Sequence, residues 1–575
     1  MEDEWLFGWD PTPGIVSVWV QRDGRAVIWQ RDGSRVTLTH ERYRPWLVAT
    51  TLADLEHRVE EGPAASAASI SYRELEGPPG SYRFLLSAPS ESSLERALLD
   101  GATRRLGRRV SSLYELDDTY YRVGPVEQYL IQTGKVYFRG LAYEQLHRLQ
   151  FDLETTSLDP REGRIFLVAV RDSRGFETVL EAPSAQDERK LILDLCGLIR
   201  DRNPDVIENH NLLGFDLPFL QGRAQVLKVP LALGREGGPP LLASQNDAPA
   251  GRPGFRRRIR YSVAGRELID TLDAVRRHDF VTRDLPSYRL KEVARYFGVA
   301  APDRVYLSGS EVWETYRREP EQVRRYALDD VREVDGLSRR LLGAPFALAG
   351  MAPRPYERLP WAGPAMGILE PMLVRAYMRS GAALPGSSSD GEAGAIHEGG
   401  AAFLFSAGVA EHVVKADVAS LYPSLMRTYG IGPACDRLGV LLSLVTRLTD
   451  LRLAHKAAAR AAAPGSLEAS HFEAMQAAMK VLINSAYGYM GAGDMALFAD
   501  RHAAGEVTRR GREVLLAVVE ALRARGMGLI EADTDGVYFA VPPDWSENDE
   551  RALVDEIARD LPSRIRLEYE GRYRA

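Results

Sequence analysis

Apolar positions recur along this chain with two periods. Over roughly the first 130 residues short apolar runs alternate with turn signals. Gly14-Ile-Val-Ser-Val-Trp-Val-Gln21 and Arg25-Ala-Val-Ile-Trp-Gln30 are examples, with Asp23-Gly24 and Asp32-Gly33 as the turns. Such runs read as β-strands joined by tight Asp-Gly turns. A helix is predicted over 91–106. From about 146 onward strands and helices alternate, with strands at 148–153 and 164–171, a helix at 187–201 and further helices to 342, which is an α/β pattern. A Gly/Pro-rich insert at roughly 234–255 interrupts it, ends in Arg256-Arg257-Arg258, and reads as a surface loop. A second flexible stretch, Leu384-Pro-Gly-Ser-Ser-Ser-Asp-Gly-Glu-Ala-Gly394, separates this half from the next. From 397 a strand leads into a loop. Two long Ala/Leu/Arg-rich helices follow over about 438–488, then a helix over 500–525 and a β-hairpin around Asp533. There are no internal repeats.

The length of 575 residues accommodates about three to five domains. The apolar fraction of 45% is enough to build real cores, and no apolar run is long enough to span a bilayer. The N-terminus, Met1-Glu-Asp-Glu-Trp5, is acidic and lacks the apolar run of a secretory signal. Two cysteines, Cys196 and Cys435, supply neither a disulfide framework nor a four-ligand zinc site. A cytosolic enzyme is expected. The net charge of −7 does not exclude nucleic acid, because affinity needs a basic stripe rather than a basic total. Only seven of the 73 basic residues are lysines, so a lysine at a motif position is informative.

Two sets of carboxylates stand out. Phe151-Asp152-Leu-Glu154 ends an apolar strand, and period-two alternation puts Asp152 and Glu154 on one face, where both can hold one metal. Asn211-Leu-Leu-Gly-Phe215-Asp216 follows the strand Asp205-Val-Ile-Glu-Asn-His210. Tyr326-Ala-Leu-Asp-Asp330 lies on a helix that presents Tyr326 and Asp330 on one face. The second set comprises Asp417-Val-Ala-Ser420-Leu-Tyr422-Pro423-Ser424, Lys480-Val-Leu-Ile-Asn484-Ser-Ala-Tyr487-Gly488 and Asp533-Thr534-Asp535-Gly536. Lys480 and Asn484, like Arg452 and Lys456 on the preceding helix, are spaced i, i+4.

In this order the motifs resemble those of family B DNA polymerases. The first set matches the three exonuclease motifs of the DEDD superfamily, in the variant with a tyrosine in the third. The second matches D-x-x-S-L-Y-P-S, K-x-x-x-N-S-x-Y-G and D-T-D. The resemblance spans 148 to 570. It implies a multidomain α/β and α+β chain, with a β-rich N-terminal domain (1–145) and an RNase H-like 3′→5′ exonuclease domain (146–345). A linker with the first part of a right-hand palm (346–437), fingers helices (438–490) and the second part of the palm (491–575) would follow. The activity implied is template-directed DNA polymerisation with 3′→5′ proofreading, by a two-metal mechanism at both sites. An exonuclease whose polymerase half is inactive without a separate thumb, and a non-catalytic replication subunit, are the alternatives.

The resemblance assigns two Mg²⁺ per site, with Mn²⁺ as a substitute. Asp152, Glu154, Asp216 and Asp330 would be the exonuclease ligands; Asp329 rivals Asp330, but the Y-x-x-x-D spacing selects the latter. Tyr326 would orient the attacking water, and Asn211 and Phe215 would place the 3′-terminal nucleotides. Asp417 and Asp535 would hold the polymerase metals, with Asp533 in the same motif. Arg452, Lys456, Lys480 and Asn484 would grip the triphosphate. Tyr422 would lie under the deoxyribose and Tyr487 near the nascent base pair. Gly399 and Gly400, in His397-Glu-Gly-Gly, correspond to the family's template-contacting Y-x-G-G. Primer–template DNA and dNTPs are the implied partners, and the expected location is cytoplasmic, associated with the nucleoid. Family members usually continue past the palm into a helical thumb, whereas this sequence ends at Arg572-Tyr-Arg-Ala575. A thumb on a second polypeptide, a truncated sequence and a thumbless enzyme are the three explanations. A separate thumb polypeptide and a sliding clamp are the protein partners the resemblance admits.

Overall fold

The computed structural model describes residues 2–55, 59–61, 69–116, 119–235, 241–245, 259–386 and 402–574. The alternating N-terminal runs form an antiparallel meander of Ile15–Val20, Arg25–Asp32 and Arg35–Arg42. Gly24 sits in the first turn at φ +77°, where a Cβ would lie 2.3 Å from the Tyr43 carbonyl oxygen, so the turn requires glycine. A second sheet has the order Val59–Glu61, Ile70–Glu74, Phe84–Ser87, Trp46–Ala49, Tyr120–Tyr121. The helix Glu91–Leu106 buries Leu94, Leu98 and Ala102 and begins in a Ser90 capping box.

The middle of the chain folds around a five-stranded sheet. Its order is Glu177–Glu181, Ile165–Asp172, Arg148–Thr155, Val206–Asn209, Glu267–Asp270. The first three strands are antiparallel neighbours, and the last two run parallel to Arg148–Thr155. Ile165, Val168 and Val170 pack with Leu191, Leu195 and Ile199 of the helix Glu188–Arg202. Phe166, Leu167 and Ala169 pack with Val323, Ala327 and Val331 of the helix Pro320–Leu341. Coverage of both faces explains why 165–170 is continuously apolar instead of alternating. The insert expected as a loop carries an antiparallel pair at its edges, Leu242–Gln245 with Ile259–Ser262. Arg256-Arg257-Arg258 lie outside the described residues.

The C-terminal third holds a sheet in the order Ala402–Leu404, Gly528–Asp533, Gly536–Ala540, Val413–Val418, Leu567–Tyr573. The helices Leu421–Tyr429 and Arg501–Ala524 pack together beside it. Between the strands the chain projects two packed helices, Val440–Ala461 and Leu467–Met490, linked by a short turn in which Gly465 takes φ +76°.

One apolar core runs from Leu6 through the N-terminal strands and the segment around Phe346–Tyr377 to Leu567, while the middle sheet has cores of its own. Buried charge joins the two bodies. Arg31 of the meander and Arg235 both donate to Asp205, at 2.9 and 2.7 Å from its Oδ1. Within the middle body Arg148 donates to Glu208 and Asp335 at 2.6 and 2.8 Å. Among the described residues no helix is long and apolar enough to cross a membrane.

Candidate functional site

The structure brings three of the first four carboxylates to one point, and Asp216 lies outside that group. Asp152 and Glu154 project from one face of Arg148–Thr155, and Asp330 reaches them from the helix Pro320–Leu341. One oxygen of each lies within 4.8 Å of the others. Asp216, at the end of the Leu212–Asp216 turn, is buried, and its Oδ1 has no hydrogen-bond partner among the described residues. Burial, and then the charge of Asp330, pushes the Asp152 carboxyl up to about 7. Burial pushes Asp330 up to about 6 against the opposing cations Arg304 and Lys291. Glu154 and Asp216 are raised by burial and by Asp152. Clustered, desolvated carboxylates with an orphaned oxygen are the donor set of a hard divalent cation.

The surrounding contacts choose between neighbours. Asp329 turns away, accepting from the Val305 amide at 3.1 Å and from Arg332 at 3.2 Å, so the cluster takes Asp330. Tyr326 is buried beside the carboxylates, and the Lys291 ammonium donates to its hydroxyl while lying 4.1 Å from its ring centre. Arg304 donates to Asp330, and at 2.7 Å to Glu333. Asn211 adopts a left-handed φ of +69°. Its side-chain oxygen lies where a Cβ on Gly214 would fall, at 2.2 Å. Phe215 is half-buried against Phe219, ring centres 5.6 Å apart.

The second set converges at a strand end and a hairpin turn. Asp417 stands opposite Gly536, and the Val418 amide donates to the Asp535 carbonyl at 2.7 Å. A Cβ on Gly536 would meet Asp417 Oδ1 at 3.1 Å. Burial, then the Asp535 charge, pushes Asp417 up to about 6, and burial raises Asp535. Asp533 is exposed at the rim and held by the Thr534 hydroxyl at 3.0 Å. Two non-glycine residues next to these carboxylates have positive φ, Ser420 at +50° and Thr534 at +49°. For β-branched Thr534 this is strained backbone of the kind that gathers at functional sites.

Lys456, Lys480 and Asn484 are exposed on the paired helices. Neither lysine has an ion-pair partner among the described residues. Arg452 is half-buried, and the charge of Glu568 partly offsets the lowering of its pKa by burial. The rings of Tyr422 and Tyr487 lie 4.1 Å apart. Burial and then the Asp535 charge raise the Tyr422 phenol, which puts this ring pair beside the carboxylates. Gly399 and Gly400 lie outside the described residues.

Sequence reasoning passed over several contributors. Asp270 accepts from the amides of Asn211, Leu213 and Leu272 at 2.8, 3.1 and 3.0 Å and so shapes the loop that delivers Asp216. Asn209 donates to Asp152 at 3.1 Å. Lys291 and Lys415 were both within reach of the argument that few lysines exist. Lys415, two residues before Asp417, pairs with Glu570 at 2.5 Å. Glu568 stands directly opposite Asp417 on the neighbouring strand.

Comparison with known proteins agrees with this geometry. Residues 142–293 match the family described as "DNA polymerase family B, exonuclease domain", and residues 433–539 match "DNA polymerase family B". The chain is 28% identical over 493 residues to the "DNA polymerase" of Pyrococcus glycovorans, covering 79% of this chain and 61% of that protein. It is 27% identical to "DNA polymerase 2" of Aeropyrum pernix, covering 78% of this chain and 56% of that one. The chain thus spans about three-fifths of the length of these curated relatives. The solved family B DNA polymerase of Pyrobaculum calidifontis superposes with a TM-score of 0.73 at 24% identity, over 98% of this chain and 78% of that structure. The fold is accordingly the expected one, a β-rich N-terminal region with an exonuclease domain and a polymerase domain. One family match covers Asp152, Glu154 and Asp216, the other Lys480, Asn484 and Asp535, and over these two stretches the chain is similar to DNA polymerase family B.

Proposed function

We propose that this chain extends a primer 3′-OH with dNTPs under template direction and removes 3′-terminal nucleotides at a second, separate site. The observation that carries the reading is the pair of carboxylate sets. One is packed into a single small volume and backed by Tyr326 and Lys291; the other stands on a sheet from which two helices bearing exposed cations project. We retain the division into an N-terminal domain (1–145), exonuclease domain (146–345), linker and first palm part (346–437), fingers (438–490) and second palm part (491–575).

Divalent ions, two at each site and most simply Mg²⁺, would be held by Asp152, Glu154, Asp216 and Asp330, and by Asp417 and Asp535. When bound they supply charge neutralisation at phosphorus and lower the pKa of the attacking oxygen. In the exonuclease site Tyr326 orients the water through a hydroxyl that the Lys291 ammonium holds in place. Asn211 and Phe215 position the terminal nucleotides. In the polymerase site Arg452, Lys456 and Lys480 offset the triphosphate charge, with Asn484 on the same face as Lys480. Tyr422 lies under the deoxyribose and excludes a 2′-OH, and Tyr487 packs on it toward the nascent base pair.

Extension and degradation of a labelled primer–template with Mg²⁺, with and without dNTPs, tests the reading. The wild type should do both, Asp417→Ala should only degrade and Asp152→Ala should only extend. A wild type that degrades but never extends, at high enzyme and low salt, would sink the polymerase half of the proposal.

A further inference from the structure

The joint between the N-terminal meander and the middle sheet holds two carboxylates that no role so far uses. Glu267 opens the edge strand Glu267–Asp270 and is 3% exposed. Its Oε1 accepts from the Ser17 hydroxyl at 3.0 Å and from the Tyr137 hydroxyl at 3.2 Å, both in the N-terminal region. The Tyr137 oxygen in turn accepts from the Val18 amide at 3.2 Å, so the contact reaches the strand Ile15–Val20 by two routes. Glu267 Oε2 accepts from the Glu357 amide at 3.0 Å, and Glu357 Oε2 accepts from the Leu268 amide at 3.4 Å. The two acids thereby fasten the turn Tyr356–Arg358 to the edge strand in both directions.

What the pair lacks is a cation of its own. Nearby, Asp205 is met by Arg31 and Arg235, and Glu208 by Arg148. The cations that face Glu267 and Glu357 are Arg235, Arg260 and Arg358. They are held instead by Asp205, Asp273 and Glu127, at 2.7, 3.4 and 3.8 Å. Glu127 also adds a further negative charge facing Glu357. Burial keeps the phenols of Tyr137 and Tyr356 neutral. Burial, then the Glu357 charge, pushes Glu267 up to about 8, and burial pushes Glu357 up to about 7 against Arg358 and Arg260.

We propose that Glu267 and Glu357 form a proton-sharing clasp that seats the middle sheet on the N-terminal region and the 356–358 turn, and that opens as the pH rises. While one of the acids is protonated, the bonds from Ser17, Tyr137, Glu357 and Leu268 hold without repulsion between the side chains. Once both are ionised, two like charges share a desolvated joint with no cation between them. Local opening of the strand and the turn then lets water in to solvate them. Both folded values lie above the ordinary 4.5, so the native joint binds more protons than the opened one. The clasp is tightest in acid, weakens as the pH climbs from about 4.5, and is lost by about 8. The middle sheet carries Asp152 and Glu154, so the clasp governs how firmly that site is held against the rest of the chain. A primer end passing between the two carboxylate sites should therefore be transferred more slowly once the clasp opens. This consequence, unlike the clasp itself, rests on the reading of both sites as active.

Hydrogen exchange of the full chain, corrected for the intrinsic rate at each pH, reads the clasp directly. Protection of the Leu268 and Glu357 amides should fall roughly 10- to 100-fold between about pH 6 and about pH 8. The helix Glu188–Arg202, which packs on Ile165–Asp172 instead, should show no such fall. Glu357→Gln keeps an oxygen for the Leu268 amide but carries no charge, so its Leu268 protection should stay nearly level over the same range. Should that variant melt below wild type, Ser17→Ala is the second probe. It removes one bond to Glu267 and leaves both charges, so protection should drop at every pH with the slope unchanged. Level protection in the wild type, or an equal fall in Glu188–Arg202, overturns the clasp. In Mg²⁺ and at alkaline pH, Glu357→Gln should excise a mispaired primer end severalfold faster than wild type, while the two hydrolyse free single strands alike. A chain that neither extends nor hydrolyses overturns the two-site reading, and the exchange slopes then decide the clasp without it.

Discussion

Replacing Asp152 with asparagine should stabilise the metal-free protein. Asp152 is packed with Glu154 and Asp330 into one small volume, and burial with the Asp330 charge pushes it from 3.8 up to about 7. A pKa unit corresponds to about 1.4 kcal/mol, so ionising this group near neutral pH costs at most about 4 kcal/mol. Water reaching the partly exposed carboxylate screens it and brings the cost to roughly 1–3 kcal/mol. Asparagine keeps the shape and can still accept from Asn209 through its carbonyl oxygen, but carries no charge. At about 2–4 °C per kcal/mol for a unit of this size, Asp152→Asn should melt roughly 2–12 °C higher than wild type in EDTA at about pH 7. The sign with pH follows from the same shift. With its folded pKa above its unfolded one, the native state binds more protons, so wild-type stability in EDTA falls as pH rises from about 4 to about 7. The variant should flatten that slope. Mg²⁺ should close the gap or reverse it, because an ion at one hundred times its Kd adds about 2.7 kcal/mol to a site that binds it, and the variant would lack one of the proposed ligands. Scanning calorimetry between pH 4 and 8, with EDTA and with Mg²⁺, reads all of this. A variant that melts at or below wild type in EDTA, with an unchanged pH slope, would refute the claim that these carboxylates repel one another until a cation arrives.

Three further outcomes follow from other contacts. Lys291→Met removes the cation that holds the Tyr326 hydroxyl. A hydrogen bond to a charged group is worth about 1.5–3 kcal/mol, so 3′→5′ hydrolysis should slow roughly 10- to 150-fold; Tyr326→Phe should do the same, and the double variant should be no slower than either, which single-turnover rates would check. Asp270→Ala leaves three amides of the Asn211–Leu272 region without their acceptor, costing about 2–4 kcal/mol. Hydrogen exchange should rise across 209–216 and hydrolysis should fall, while primer extension stays near wild type. Gly536→Ala sets a methyl 3.1 Å from Asp417 Oδ1; displacing that carboxylate should cut extension up to about 100-fold with exonuclease activity unchanged, measured on one primer–template.

What could be read in the sequence was what a short window of chain contains. Asp152 and Glu154 share a face because strands repeat every two residues, and Tyr326 and Asp330 share one because helices repeat every 3.6. The N-terminal turns, the helix Glu91–Leu106 and the two long helices followed from the same local signals. The sharing of core between the N-terminal strands, the Phe346–Tyr377 segment and the C-terminal sheet did not, since a buried residue carries no mark of which distant element buries it. The first strand of the Leu242–Gln245 pair was likewise hidden in a Gly/Pro-rich stretch whose composition argues for loop.

The same distinction explains which site residues were missed. Asp270 acts on Asn211 from 59 positions away, Lys291 on Tyr326 from 35, and Arg304 on Asp330 from 26. Each is a charged residue on an unremarkable stretch, and its importance exists only through a partner that folding brings near. The clustered carboxylates are recognisable locally because two of them leave one strand in one direction. Their supports have no such requirement, since any backbone path that ends within hydrogen-bond reach will serve. Ser420 and Thr534 add the complementary case: left-handed backbone at a serine and at a β-branched residue is disfavoured locally. Here local preference is overruled so that Asp417 and Asp535 can meet, with the Val418 amide closing on the Asp535 carbonyl. At this turn, therefore, propensity argues against the geometry, and it is the spacing of the carboxylates that points to it.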